Sequence, residues 1–347
     1  MPIRIRADLR GRSVPASLIV AGSLGLLLLV YLIVESGARD VGHALLAIGW
    51  WLLPITAYHF VPLFFSALSW RELLPRFSRP GKFTIVWIRW IRESINSLLF
   101  SVGGDLVSVR LANLRGVPGT QSAASMVVDT TIGALTQLVF VMCGLALLLL
   151  HSTERVVLVV AGTVLAAMVI LCAGIGGFIL FQHRGLFVRF AKLAHRIMPQ
   201  AWPPALSTGA SAIDEAVVAA YRSGPPILRA IMFRLIGWTA GAGEVWLAMQ
   251  ALGLPLGFLD AFILESLASG VRAAAFIVPG ALGAQEGSFV LFGALFGLPP
   301  DTALAISLAK RVRELALGLP GLFVWHWIEA HHVLRRPAQP APRTSLR

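Results

Sequence analysis

The sequence predicts an all-α polytopic membrane protein, with six full transmembrane helices and two re-entrant or broken helical hairpins that form an inverted repeat. Three observations lead to this fold class. The chain is 57% hydrophobic and 13% charged, with a mean hydropathy of +0.78, which excludes a soluble domain of ordinary composition. Six apolar runs have the length of a membrane span. One stretch of the chain also occurs twice.

The six apolar runs each contain about 20 or more mainly apolar residues, enough to cross about 30 Å of hydrocarbon. They cover residues 15–35, 45–70, 120–150, 156–181, 226–252 and 302–328. The first run follows a basic segment, as the apolar part of a signal peptide does. Its length and the lack of a small-residue cleavage site favour a retained span.

Two further hydrophobic segments, 83–118 and 259–298, are interrupted by glycines and ionisable side chains. If 83–118 enters and leaves on the cytoplasmic side and 259–298 on the opposite side, most of the 29 Lys and Arg residues become cytoplasmic. This distribution agrees with the positive-inside rule. The topology places both termini in the cytoplasm and assigns Arg89 and Arg92 to a cytoplasmic segment.

The repeated stretch joins these two hairpins to the spans that follow them. Residues 105–129 align without gaps on 286–310, and a Gly-x-Pro step follows the acidic residue at the same offset in each copy. Broken helices are tolerated in a membrane where they contact protein or line a wet cavity, and transporters build midplane sites in this way. The alternative is a chance match in a chain rich in Leu, Ala and Gly.

The predicted organisation is one integral membrane domain with short polar ends. It comprises a basic cytoplasmic N-terminus at 1–14, the membrane domain at 15–330 with repeat one at about 83–150 and repeat two at about 259–329, a cytoplasmic amphipathic insert at 182–225, and a disordered basic tail at 331–347.

No phosphate-binding loop, dinucleotide fingerprint or zinc-ligand spacing is present in the sequence, so we expect no cofactor and no metal. The net charge of +12 lies beside apolar runs, and we therefore expect no nucleic-acid partner.

Ionisable side chains at membrane depth cost about 2.5 kcal/mol or more each on insertion scales, so they should face a cavity or one another. The predicted substrate-binding or cavity residues are Asp105, Glu286, Lys310, Arg311, Arg313, Glu314, Asp129, Arg272, Glu93, Asn96, Gly103, Gly104 and Gln285. No catalytic residue is predicted. The alternative is that these charges form structural ion pairs that hold the repeats in register.

The repeat and the helical spacing predict specific partners within this set. Asp129 occupies the position equivalent to Lys310, which predicts a pair across the centre of the repeat. Lys310 and Glu314 share a helix face and can pair with each other, which leaves Arg311 available for a ligand. His59 has no partner within helical reach and is interpreted as an ordinary interior or interface residue.

Several motifs resemble a known family. The segments 87–99, 103–105, 110–111, 123–125 and 129–131 resemble the membrane region of lysylphosphatidylglycerol synthases. The segments 279–287 and 307–315 are similar to hopanoid-biosynthesis-associated membrane proteins of that superfamily. The resemblance covers about 15–330. The chain departs from the family pattern at Phe100, Ser101 and Asp105, where relatives often have a proline before the two glycines and a glutamate after them.

The resemblance implies a bacterial inner-membrane lipid translocase whose substrate is a hopanoid or a phospholipid, with hopanoid-biosynthesis enzymes as candidate partners. In the larger synthases a separate soluble domain transfers the amino acid, whereas this chain stops at residue 347. We therefore expect no aminoacyl transfer and no enzyme activity. The alternatives are a membrane-embedded enzyme that uses the acidic residues as general acid and base, and a non-catalytic scaffold in hopanoid biosynthesis.

Overall fold

A computed structural model describes residues 27, 30, 31, 34, 38–98, 103–151, 155–186, 188–189, 205–275 and 278–334. The regular elements in this part of the chain are all helical, which confirms the all-α fold class. The N-terminal segment, most of the first predicted span, residues 100 and 101, the middle of the cytoplasmic insert and the tail from residue 335 lie outside the described residues.

Twelve α-helices follow one another in the described part of the chain. They are α1 Ala38–Ile48, α2 Leu52–Tyr58, α3 Phe60–Leu73, α4 Lys82–Leu98, α5 Gly103–Leu114, α6 Gly119–His151, α7 Arg155–His183, α8 Ala205–Arg222, α9 Gly224–Ala251, α10 Phe258–Ala274, α11 Ala284–Gly293 and α12 Pro300–Leu334. Short 3₁₀ turns occur at Gly49–Trp51, Arg76–Ser78, Pro279–Ala281 and Ala294–Phe296.

Two helical stretches among the described residues, Val41–Leu73 and Gly119–Leu150, are long and apolar enough to cross a membrane. The first contains α1 to α3 and the second lies within α6. The apolar runs predicted at 156–181, 226–252 and 302–328 each form one helix, namely α7, α9 and α12. The charged residues within α9 and α12 explain why their apolar character is weaker than that of α6.

Each interrupted segment forms two helices that pack against each other, α4 with α5 and α10 with α11. The first break ends at Gly103, where α5 begins. Gly104 lies so close to the Arg92 carbonyl group that a Cβ atom would collide with it. The Gly104 N–H donates to Asn96 Oδ1 at 2.8 Å. A glycine is therefore required at position 104 because the two helices approach closely at this point.

The second break depends on left-handed backbone conformations. Gly280, Ala281 and Gly283 have φ values of 61°, 49° and 73°, a region that glycine enters without a steric penalty and alanine does not. A Cβ atom on Gly280 would lie 3.3 Å from the carbonyl oxygen of Ser97 near the end of α4. The loop of the second hairpin therefore contacts the first hairpin.

Small residues mark several helix contacts. Gly237 of α9 faces the Pro62 carbonyl group of α3, and Gly321 of α12 faces Ser94 of α4. Helices in lipid gain little from the hydrophobic effect and associate through close packing and hydrogen bonds. The Trp90 indole N–H donates to the Leu317 carbonyl oxygen at 3.0 Å, so α4 and α12 are joined in both ways.

Candidate functional site

A cavity of about 400 Å³ lies between α3, α4, α9, α10 and α12, with the loop of the second hairpin on one side. Its wall is unusually charged for the interior of an apolar helical protein. Seven cationic side chains and four carboxylates line it: Arg89, Arg92, Arg234, Arg272, Lys310, Arg311, Arg313, Glu93, Glu244, Glu265 and Glu314.

Asp129 of α6 organises one side of this wall. Its side chain is fully buried and pairs with Arg89 Nη1 at 3.1 Å, with Arg92 Nη1 at 2.6 Å and with Arg234 of α9. The three guanidinium groups line the cavity and the carboxylate lies behind them. The Nε atoms of Arg89 and Arg234 are buried, and neither has a hydrogen-bond partner among the described residues. This side of the cavity wall is therefore formed by three guanidinium groups that share one buried counter-charge.

The topology inferred from the charges assigned Arg89 and Arg92 to a cytoplasmic segment, and in the structure both side chains line the cavity. Arg92 is 7% exposed, and both residues belong to the buried cavity wall. Arg92 Nε also contacts Asp105 Oδ1 at 2.5 Å, and Asn96 Nδ2 donates to the same oxygen at 3.2 Å. Arg92 thus connects the first turn of α5 to Asp129 of α6.

Glu286 occupies the equivalent place in the second hairpin. It is fully buried in the first turn of α11, and it accepts from the Gly283 N–H at 2.8 Å. A carboxylate is favourable at this end of a helix because the free N–H groups give it a partial positive charge. Arg311 Nε donates to Glu286 at 2.7 Å, and its Nη1 donates to Glu314 at 2.9 Å. Arg311, which was predicted to be available for a ligand, lines the cavity and is at the same time paired with these two carboxylates.

Lys310 and Asp129 take separate partners, so the predicted pair between them is not the arrangement observed. Lys310 Nζ lies 2.5 Å from Glu265 Oε2 of α10 and 5.4 Å from the centre of the Phe289 ring. Glu314 is held by Arg311, by Arg272 at 3.2 Å and by Arg313 at 3.6 Å. Two of these four ion pairs, Lys310–Glu265 and Arg272–Glu314, join α12 to α10, and the other two lie within α12.

His59, at the junction of α2 and α3, is the centre of a further cluster. Its Nδ1 atom lies 2.7 Å from Glu244 Oε1 and its Nε2 atom lies 2.8 Å from Glu93 Oε1. Arg313 Nη1 lies 2.6 Å from Nδ1. The interpretation of His59 as an ordinary interior residue was wrong. These partners come from three other helices at distant positions in the chain, so helical spacing could not reveal them.

The structure divides the predicted site residues into two groups. Those that line the cavity are Glu93, Asn96, Arg272, Gln285, Lys310, Arg311, Arg313 and Glu314. Those that lie outside its lining are Gly103, Gly104, Asp105, Asp129 and Glu286. The ionisable lining residues that were not predicted are His59, Arg89, Arg92, Arg234, Glu244 and Glu265. Among the described residues, no group of three His, Cys, Asp or Glu side chains is arranged to hold a metal ion.

A helical bundle with membrane-length apolar helices around a charged cavity is characteristic of integral membrane proteins. Comparison with known families identifies which one. The model of the lysylphosphatidylglycerol synthase TM region matches residues 16–321. This match covers most of the chain, and the protein belongs to that family. No curated protein and no solved structure matches the chain significantly.

Proposed function

We propose that this protein moves a lipid between the leaflets of a bacterial inner membrane and that the cavity receives the lipid headgroup. The observation that carries this proposal is the charged cavity inside a lipid-related membrane family. Ionisable side chains at membrane depth are expensive and are characteristic of substrate or ion pathways. In this proposal the protein moves the lipid without changing it chemically.

The size of the cavity favours a headgroup over a whole lipid. A volume of about 400 Å³ lies within the range of roughly 300–1,000 Å³ that is typical of small-ligand sites. An intact lipid with its apolar body is larger than this. The headgroup therefore enters the cavity while the apolar body stays in the bilayer.

The proposal includes six full spans and two re-entrant hairpins that form an inverted repeat, with both termini in the cytoplasm. The packing of the helices supports this arrangement because it is reciprocal. α4 of repeat one packs on α12 of repeat two, and α10 of repeat two packs on α6 of repeat one. Transporters with inverted repeats place their binding site at such an interface and expose it to each side in turn.

Two hydrogen bonds across the interface agree with the repeat. Trp90 donates to the Leu317 carbonyl oxygen, and Gln137 donates to the Ser269 carbonyl oxygen, each at 3.0 Å. The repeat relates positions 181 apart, since it aligns residue 105 with residue 286. This shift carries position 317 to 136 and position 90 to 271. Both shifted positions lie within two residues of the second contact, which joins Gln137 and Ser269. The two bonds therefore have nearly equivalent places in the two halves.

A hopanoid is the proposed substrate, with a phospholipid as the alternative. The proposal of a hopanoid depends on the resemblance of segments 279–287 and 307–315 to hopanoid-associated proteins. In the structure these segments supply Gln285, Lys310, Arg311 and Arg313 to the cavity wall. The part of the chain that carries the resemblance is thus also a part that a headgroup would touch.

The test is a lipid inventory of separated inner and outer membranes. It compares cells that contain the protein, cells that lack it and cells that carry Arg311→Gln. We expect the total hopanoid to be unchanged and its distribution between the membranes to shift in the last two. Arg110→Gln is the control, because Arg110 forms a half-exposed surface pair with Glu329 and should behave as wild type.

Two results would contradict the proposal. Disappearance of a modified hopanoid from the total lipid would indicate an enzyme. An unchanged distribution of both hopanoids and phospholipids in cells without the protein would exclude the translocation of either class.

A further inference from the structure

Both ring nitrogens of His59 face carboxylate oxygens. Nδ1 lies 2.7 Å from Glu244 Oε1, and Nε2 lies 2.8 Å from Glu93 Oε1. A carboxylate only accepts hydrogen bonds, and a neutral imidazole carries one N–H. Both contacts are therefore hydrogen bonds only when one extra proton is present, either on the second ring nitrogen or on one of the two carboxyl groups. The geometry defines a place for one proton.

The charges of the cluster depend on that proton. Besides its contact with His59, Arg313 pairs with Glu244 at 3.2 Å and with Glu93 at 3.7 Å. With the proton, the two cations balance the two carboxylates, and without it the cluster has a net charge of −1. An unbalanced buried charge is costly, which favours holding the proton. The positive charge of Arg313, however, disfavours a protonated ring. Because these two electrostatic effects oppose each other, the proton can be exchanged.

The cluster also has a route for the proton. The side chains of His59 and Glu244 are 11% and 4% exposed, whereas that of Glu93 is 39% exposed. Glu93 therefore connects the buried ring to the open part of the cavity. Other ionisable groups near the cluster come from each neighbouring helix: Tyr58 before α3, Arg89 of α4, Glu265 of α10, and Lys310 and Glu314 of α12.

We propose that His59 is a proton-binding site of the cavity, and that one proton is taken up and released there in each cycle of headgroup binding and release. Glu93 first takes up a proton from water in the cavity; the transfer then breaks this O–H bond of Glu93 and forms an N–H bond at His59 Nε2, and release reverses both steps. Uptake or release of the proton changes the charge of the cavity by one, whereas the transfer between Glu93 and His59 leaves it unchanged. A charged headgroup then binds more tightly in one protonation state, and by linkage its binding shifts proton uptake equally. This cycle rests on the proposed translocation, whereas the proton site itself does not.

The proton site can be measured without a lipid substrate. The full chain, with ¹⁵N-labelled histidine, is placed in phosphatidylglycerol nanodiscs. The imidazole signals are followed between about pH 5 and 9, which includes the range of about pH 5–8 in which histidine usually titrates. We expect one signal that is missing in His59→Gln to titrate in wild type, and Glu244→Gln to move its midpoint. His326→Gln, at an exposed position of α12, is the matched control and should leave that signal unchanged.

Coupling to the headgroup is measured in vesicles of the same lipid that contain fluorescent phosphatidylglycerol as the probe. We expect the translocation rate of wild type and of His326→Gln to change several-fold across this pH range. In His59→Gln the rate should no longer depend on pH. Elution of each variant as a single species in size-exclusion chromatography shows that it has folded, and Glu244→Gln replaces His59→Gln if the latter has not.

The outcomes separate the two proposals. A His59 signal that does not titrate, or one that Glu244→Gln leaves unchanged, overturns the proton site. A pH-dependent rate that survives in folded His59→Gln overturns the coupling. If wild type moves no fluorescent phosphatidylglycerol at any pH, both the translocation of this lipid and its coupling to the proton are overturned. The titration then decides by itself whether His59 binds a proton.

Discussion

Asp129 holds three arginines of two helices at the wall of the cavity. Three guanidinium groups that face one cavity repel one another, and a buried carboxylate behind them reduces this repulsion. Asp105 and Glu286 have a similar relation to Arg92 and Arg311. At the scale of the residue, these acidic side chains position the cationic groups that a ligand would meet.

Asp129→Asn should therefore be strongly destabilising. The substitution leaves buried guanidinium groups without their counter-charge, and removal of one partner from a buried ion pair typically costs about 3–5 kcal/mol. The measurement is the free energy of unfolding of the full chain in detergent. Glu329→Gln is the control, since it breaks only the surface pair with Arg110, which should be worth about 0–1 kcal/mol. Equal effects of the two substitutions would contradict the role assigned to Asp129.

Helix contacts depend on which face of each helix a glycine occupies. Gly144 of α6 faces Ser266 of α10, and Gly321 of α12 faces Ser94 of α4. A Cβ atom at either position would overlap its neighbour. Gly174 of α7 has no atom within 4 Å of such a Cβ. At the scale of the element, only glycines of the first kind are needed for packing.

Gly321→Ala and Gly174→Ala should therefore have opposite effects on stability. The first pushes α4 and α12 apart, and such overpacking typically costs about 1–3 kcal/mol. The second places a better helix former in open space and should stabilise by up to about 1 kcal/mol. Thermal unfolding of the two variants beside wild type measures both effects. A Gly321→Ala variant as stable as wild type would show that the contact between α4 and α12 is looser than described.

At the scale of the whole molecule, α4–α6 and α10–α12 form two sets of helices that pack reciprocally beside the cavity. The hairpin of each set rests on the long helix of the other, and the loop of the second hairpin contacts the end of α4. Movement of one set relative to the other would therefore change the shape of the cavity. The proposed inverted topology allows such a movement to open it towards alternate leaflets.

The topology can be tested by cysteine labelling in spheroplasts. The native Cys143 and Cys172 are exposed and are first replaced by serine. Single cysteines are then introduced by Arg115→Cys and Pro299→Cys, both at exposed positions. We expect a membrane-impermeant maleimide to label position 299 from the outside and position 115 only after the membrane is opened. Labelling of both from the same side would exclude the inverted repeat.

The sequence by itself determined the membrane class, the family, the helices at 120–150, 156–181, 226–252 and 302–328, and the breaks in the two hairpins. These properties depend on composition and on patterns within one segment, such as apolar runs and paired glycines. It also identified most of the charged positions of α12, because four charges within five residues stand out in an apolar helix.

Only the tertiary structure decided which charge meets which. His59 and Glu244 are 185 positions apart, Arg234 and Asp129 are 105 apart, and Lys310 and Glu265 are 45 apart. Helical periodicity relates residues three or four positions apart, so it contains no information about such pairs. The pairing is set by how α4, α6, α9, α10 and α12 pack around one cavity. For that reason His59 could not be distinguished from an ordinary histidine until the fold brought its partners together.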